Sequence, residues 1–138
     1  MDTRTITVRA IIPGFRYEDA PRAIEFLCDA FGFEKHVVYE GAEGRIDHAQ
    51  LRLGDHFIML GSGDARDKTP RELGGATGSH YVVLERDEDV DAHCERARAA
   101  GAVITMEPYS PDYGGRGYGA EDLEGYRWSF GSYRPESG

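Results

Sequence analysis

His48 and Gln50 stand two residues apart in HAQLRL, and His80 opens HYVVLE. In an extended strand, residues two apart share a face. If His80 joined them, the three would form a nitrogen-rich cluster for a divalent ion such as Zn, Ni, Mn or Fe. A single His without carboxylate or imidazole partners does not hold a catalytic ion. The reading adopted is therefore the plainer one: His48, Gln50 and His80 as hydrogen-bonded strand residues lining a polar pocket. His36, His56 and His93 fall at strand or helix edges, where solvation is expected.

A second group could grip an organic ligand. Tyr109 and Tyr113 lie in MEPYSPDYGG, a Pro/Gly-rich loop placed to cover a pocket. Tyrosines there would bring a large apolar face and a polar tip. Arg116 and Tyr118 alternate with Gly117 and Gly119 in RGYGAE. An arginine facing a concave sheet must be paired or await an anion, so Arg116 is a candidate clamp for a carboxylate or phosphonate. Phe15 and Tyr17 share a face after Pro13-Gly14 and are expected to reach the same cavity. In YRWSFGSY, Trp128 and Ser129 point to opposite faces. Whichever faces inward, the other is core.

These side chains need strands and helices to hold them. TITVRAII, Thr5 to Ile12, is β-branched and bounded by Pro13-Gly14, which predicts a strand. Asp19 caps a helix over 20–31, with Ala20, Ala23, Ile24, Leu27 and Phe31 at helical spacing and Gly32 ending it. HVVYE, HAQLRL and HFIML read as three strands. Residues 62–78, rich in Gly, Asp and Thr, read as a linker loop. The order then restarts. HYVVLE is a strand, Asp87 to Ala100 a helix, and AVITMEPY, RGYGAE and YRWSFGSY are strands, the last two joined by a D-L-E-G turn.

The expected fold is a single α+β domain over 1–138. It comprises two tandem β-α-β-β-β modules, 5–61 and 79–133, whose curved mixed sheets enclose a cavity. Neither four-stranded sheet would be stable alone.

Composition removes several function classes. The 138 residues carry a net charge of −9, with 40% hydrophobic and 30% charged residues. That sign disfavours nucleic acid and anionic lipid and favours cationic small molecules. No apolar run reaches membrane-spanning length, and MDTRTITVRA has no apolar leader segment, so a cytoplasmic location is expected. Cys28 and Cys94 fall within helices and are expected as packed thiols.

The module order, with FRYEDAPRAIEFLCDAFGF, HAQLRLGD and YGGRGYGAEDLEGYRWSFG, resembles the vicinal oxygen chelate superfamily. This superfamily includes glyoxalase I, extradiol dioxygenases, and fosfomycin- and bleomycin-resistance proteins. The resemblance is strongest to the bleomycin-resistance-like and phosphonate-operon-associated glyoxalase-like members. It implies one metal ligand on each of four strands. The matching positions here are Ile12, Met59, Ser79 or His80, and Ser129, which are poor in ligands. The register also implies Ser129 inward and Trp128 in the core. By resemblance, a metal-free homodimer holding an aromatic or peptide-like small molecule without turnover is expected. The alternative is a metal-dependent lyase, isomerase or dioxygenase, with Glu40 and Glu107 as carboxylates near strand ends.

Overall fold

The computed structural model describes residues 6–135. The first module runs β1 (Gly14–Tyr17), α1 (Ala20–Phe31), β2 (Glu34–Glu40), β3 (Ile46–Leu53) and β4 (His56–Ser62). A short helix α2 (Pro70–Leu73) follows. The second module runs β5 (Ser79–Val83), α3 (Asp87–Ala99), β6 (Val103–Tyr109), β7 (Gly117–Glu121) and β8 (Arg127–Gly131). The strand orders are β1-β4-β3-β2 and β5-β8-β7-β6, with the first pair in each sheet parallel and the rest antiparallel. The duplicated βαβββ order is therefore present. The two mixed sheets do not close on one another.

Two expectations are corrected. The predicted first strand over 5–12 is displaced. Thr5 lies outside the described residues, and 6–13 pair with no strand. Pairing begins where the Pro13 carbonyl accepts from Met59 N–H at 3.0 Å, and β1 then runs beside β4. The β-branched residues 6–12 before it pair with no strand among the described residues, and Ile6 and Ile11 are 86% and 91% exposed. The linker also holds a helix. Thr69 caps α2 reciprocally with Glu72, a local capping box that apolar periodicity does not reveal.

Helix α1 follows its predicted bounds. Asp19 accepts from Arg22 N–H, Pro21 sits in the first turn, and Gly32 closes it in the left-handed region. The C-terminal module satisfies both of its ends. Glu124, 3% exposed, accepts from Glu18 N–H at 2.6 Å and Asp19 N–H at 2.8 Å. At the other end Arg96 donates to the carbonyls of Asp29 and Cys28, and His93 Nε2 lies 2.9 Å from the Phe31 carbonyl. A free helix leaves such groups orphaned. Here they bind the two modules together.

An aromatic cluster fills the space between modules. Phe15 stacks on Trp128 at 5.2 Å, and Phe31 packs on Phe130 at 4.9 Å. Asp122 sits at its edge and accepts four hydrogen bonds. These come from Tyr17 Oη (2.6 Å), Trp128 Nε1 (3.1 Å) and the N–H groups of Glu124 and Tyr126. Burial pushes its carboxyl above the usual range, while the bonds from Tyr17 and Trp128 pull it back. The turn that carries Asp122 ends at Gly125, at φ +89°. A Cβ there would meet the Arg71 amide nitrogen at 2.9 Å, so glycine lets α2 dock on the turn.

Candidate functional site

Helix packing covers one face of each sheet and leaves the other open. On the C-terminal sheet the open face is built from two cross-strand rows. One row is Tyr81, Ser129, Gly119 and Met106; the other is Val83, Gly131, Gly117 and Tyr109. The inner strands β7 and β8 contribute only glycine and serine to these rows. The outer strands β5 and β6 contribute tyrosine, valine and methionine. The result is a trough with a low floor and tall apolar walls.

The floor cannot rise without moving the walls. A Cβ on Gly131 would stand 2.7 Å from Tyr81 Oη and 3.0 Å from the Arg116 carbonyl. Tyr81 Oη donates to the Tyr133 carbonyl at 2.5 Å, and Tyr133 meets Tyr113 edge-to-face at 5.0 Å. Four tyrosines (Tyr81, Tyr109, Tyr113 and Tyr133) with Met106 thus ring a hollow of about 130 Å³, and all five are exposed. A hydrogen bond with Tyr109 holds the Tyr113 phenol above its usual range. Burial pushes the Tyr81 phenol up, so it too stays neutral at physiological pH.

Several expected site residues lie elsewhere. Phe15, Tyr17 and Tyr118 are buried, at 5%, 1% and 0% exposure. Phe15 and Tyr17 sit between the modules, and Tyr118 lies under α3 with its hydroxyl 2.6 Å from His93 Nδ1. Tyr118 still borders the hollow from β7, but its ring turns to the helix side, because alternation sets opposite faces but not which face the helices cover. Arg116 is also corrected. One edge of its guanidinium, Nε and Nη2, donates to both carboxylate oxygens of Asp91 on α3 at 2.7 and 2.9 Å, and Nη1 donates to Ser110 Oγ, so it is paired and not an arginine awaiting an anion. Tyr109 and Tyr113 do line the hollow. Tyr81, Tyr133 and Met106 were not foreseen as lining residues. Tyr81 and Met106 become legible only once the strand register is known, and Tyr133 lies beyond β8, reached by its bond from Tyr81.

The histidines separate. His48 Nε2 lies 3.1 Å from Gln50 Nε2 on β3, part-buried on its open face. His80 turns the other way, against Phe15 and Trp128 at 4.6 and 5.2 Å. The cluster of His48, Gln50 and His80 does not form. His93, expected at a solvated edge, is instead held between Tyr118 and Phe31, and burial lowers its pKa.

The open-face residues on the four strands where this fold would carry metal ligands are Gly14 on β1, Met59 on β4, Tyr81 on β5 and Ser129 on β8. Among them are a thioether, a phenol and a hydroxyl, with no carboxylate or imidazole. This donor set does not fit a divalent ion. Among the described residues, no three His, Cys, Asp or Glu side chains come together as a ligand group. Met59 and Ser129 lie on the open faces of β4 and β8, and Trp128, 2% exposed, is core.

The model of the Glyoxalase/Bleomycin resistance protein/Dioxygenase superfamily matches residues 11–130. An uncharacterized protein of Mycobacterium tuberculosis, Rv0887c, is 31% identical over 136 residues, covering 94% of this chain and 78% of the relative. TioX from Micromonospora sp. ML1 is 30% identical with a TM-score of 0.69, covering 92% of this chain and all of that one (100%). The fosfomycin resistance protein FosX from Listeria monocytogenes superposes with a TM-score of 0.71 at 15% identity, over 94% of this chain and 96% of FosX. At that identity the likeness is one of fold.

Proposed function

Because the chain belongs to the Glyoxalase/Bleomycin resistance protein/Dioxygenase superfamily, we propose that it is a metal-free binding protein. In this reading it sequesters an aromatic or peptide-like small molecule and releases it unchanged. The observation that carries this is the trough: glycine and serine beneath, tyrosine and methionine at the sides. A flat ring system matches that shape, and tyrosine offers it apolar area with hydroxyls at the rim. The donor set around Met59 and Ser129 supports binding over metal-assisted turnover.

The test pairs metal content with ligand binding. Elemental mass spectrometry of protein purified without chelator or metal-binding tag is expected to find no stoichiometric metal, before and after metal incubation and desalting. Planar aromatic and peptide-linked aromatic compounds are expected to raise the melting temperature and to be recovered intact. Stoichiometric Zn, Ni, Mn or Fe, or stabilisation by anionic thiol conjugates alone, would favour the metal-dependent lyase, isomerase or dioxygenase reading instead.

The working unit in this reading is a homodimer. The extended segment 6–12 places Ile6, Val8, Ile11 and Ile12 in solvent, and β5 is an edge strand with Tyr81 and Val83 exposed. An apolar segment without a strand partner and a sheet edge without a neighbour suit one another across two copies. Sedimentation at micromolar protein is expected to give a dimer. Ile6→Asp with Ile11→Asp is expected to shift it toward monomer while the far-UV spectrum is kept. A wild-type monomer at that concentration would remove the dimer from the reading.

A further inference from the structure

The ring of tyrosines has a chemistry of its own. The hollow among Tyr81, Tyr109, Tyr113, Tyr133 and Met106 holds about 130 Å³. Pockets for whole drug-sized ligands run to about 300–1,000 Å³. This one therefore takes a single substituent, at the end of a larger surface that takes the rest.

The walls select the charge of that substituent. Phenol rings present electron-rich faces, and a cation over such a face is attracted by the ring quadrupole. The one cationic side chain on the lining, Arg116, is neutralised by its bidentate bond to Asp91 and by Asp87 nearby. No unpaired cationic side chain is left on the described lining, and the whole chain carries −9. A carboxylate or phosphonate would find hydroxyls here but no free positive charge to meet it.

We infer that this hollow is an aromatic cage for an alkylammonium group, so that the ligand is a planar or peptide-like molecule bearing an amine or quaternary nitrogen. The inference rests on the binding reading and names the ligand class of the same trough. Tyr81 and Met106 supply the walls nearest the floor. Tyr109, Tyr113 and Tyr133 close the outer side, with the Tyr113–Tyr133 edge-to-face pair fixing their orientation.

The experiment uses choline and its neutral carbon isostere, in which tert-butyl replaces trimethylammonium. Both are titrated into the full chain by protein-detected NMR, beside a neutral planar aromatic compound. Choline is expected to bind at least about fivefold tighter than the isostere, with shifts confined to the tyrosine ring. Tyr113→Phe, which keeps the ring face, is expected to retain that preference. Tyr113→Leu, at a position 68% exposed and so harmless to the fold, is expected to lose it. Equal binding of choline and isostere would overturn the cage, as would a preference that survives Tyr113→Leu and so reflects only net charge. If the neutral aromatic still binds in those cases, the binding reading stands without the cage. If nothing binds, both fall.

Discussion

Asp122→Ala is expected to lower the unfolding free energy by about 3–5 kcal/mol. The carboxylate is 6% exposed and is the sole acceptor recorded for Tyr17 Oη and Trp128 Nε1; it also accepts the N–H groups of Glu124 and Tyr126. Truncation strands four donors at once in a place water does not reach. An alanine side chain also leaves a void beside the stacked Phe15 and Trp128 rings. A domain of this size has only about 5–15 kcal/mol in total, so the loss takes a large share. Urea unfolding at neutral pH measures it. Tyr17→Phe removes only one of the four partners and is expected to cost about 1 kcal/mol. If Asp122→Ala costs no more than Tyr17→Phe, the carboxylate does not hold the modules together, and the aromatic cluster with the Glu124, Arg96 and His93 bonds does so without it.

That latch also shows where sequence reasoning stops. The helix 20–31, the duplicated strand order and the D-L-E-G turn were all legible, because each is fixed by neighbours in the chain. Asp122 was read only as a turn residue, since its partner Tyr17 is distant in sequence. The same limit misplaced Phe15, Tyr17 and Tyr118. Their alternation was right, but their burial is decided by which side the other module and α3 occupy. Strand register was legible at Ser129, whose neighbour Trp128 is core. It slipped at Ile12, since Gly14 is the residue that stands beside Met59. Segment 6–12 has strand propensity but pairs with no strand among the described residues, and local periodicity does not report whether a partner strand is at hand.

The ends of α1 carry the same lesson about coupling. The amides of Glu18 and Asp19, at and just before its N-cap, are held by Glu124, and its last carbonyls by Arg96 and His93. The trough of the second module is floored by β8, whose buried face holds Trp128 and Phe130 against the first module. The reverse side of the trough floor is therefore the inter-module core.

Two adjacent residues separate these roles. Ser129→Trp is expected to reduce affinity for planar aromatic ligands by about a hundredfold, equivalent to about 2.7 kcal/mol, at a smaller stability cost than a core truncation. Ser129 stands mid-floor between Tyr81 and Gly119, so an indole there fills the trough that a ligand ring would occupy. The indole leaves from the open face, so the Tyr81 and Met106 walls must give way while the core behind β8 is untouched. Trp128→Ala, one position earlier and 2% exposed, is expected to do the reverse. It removes the ring that Phe15, Phe31 and Phe33 contact, costing about 3–5 kcal/mol of stability. Calorimetric titration and thermal unfolding of both variants read the two effects independently. A Ser129→Trp protein that binds planar ligands as tightly as wild type would move the site off the trough. The place to look would then be the crevice of about 740 Å³ between the modules, lined by Ile11, Ile12, His80 and Leu84.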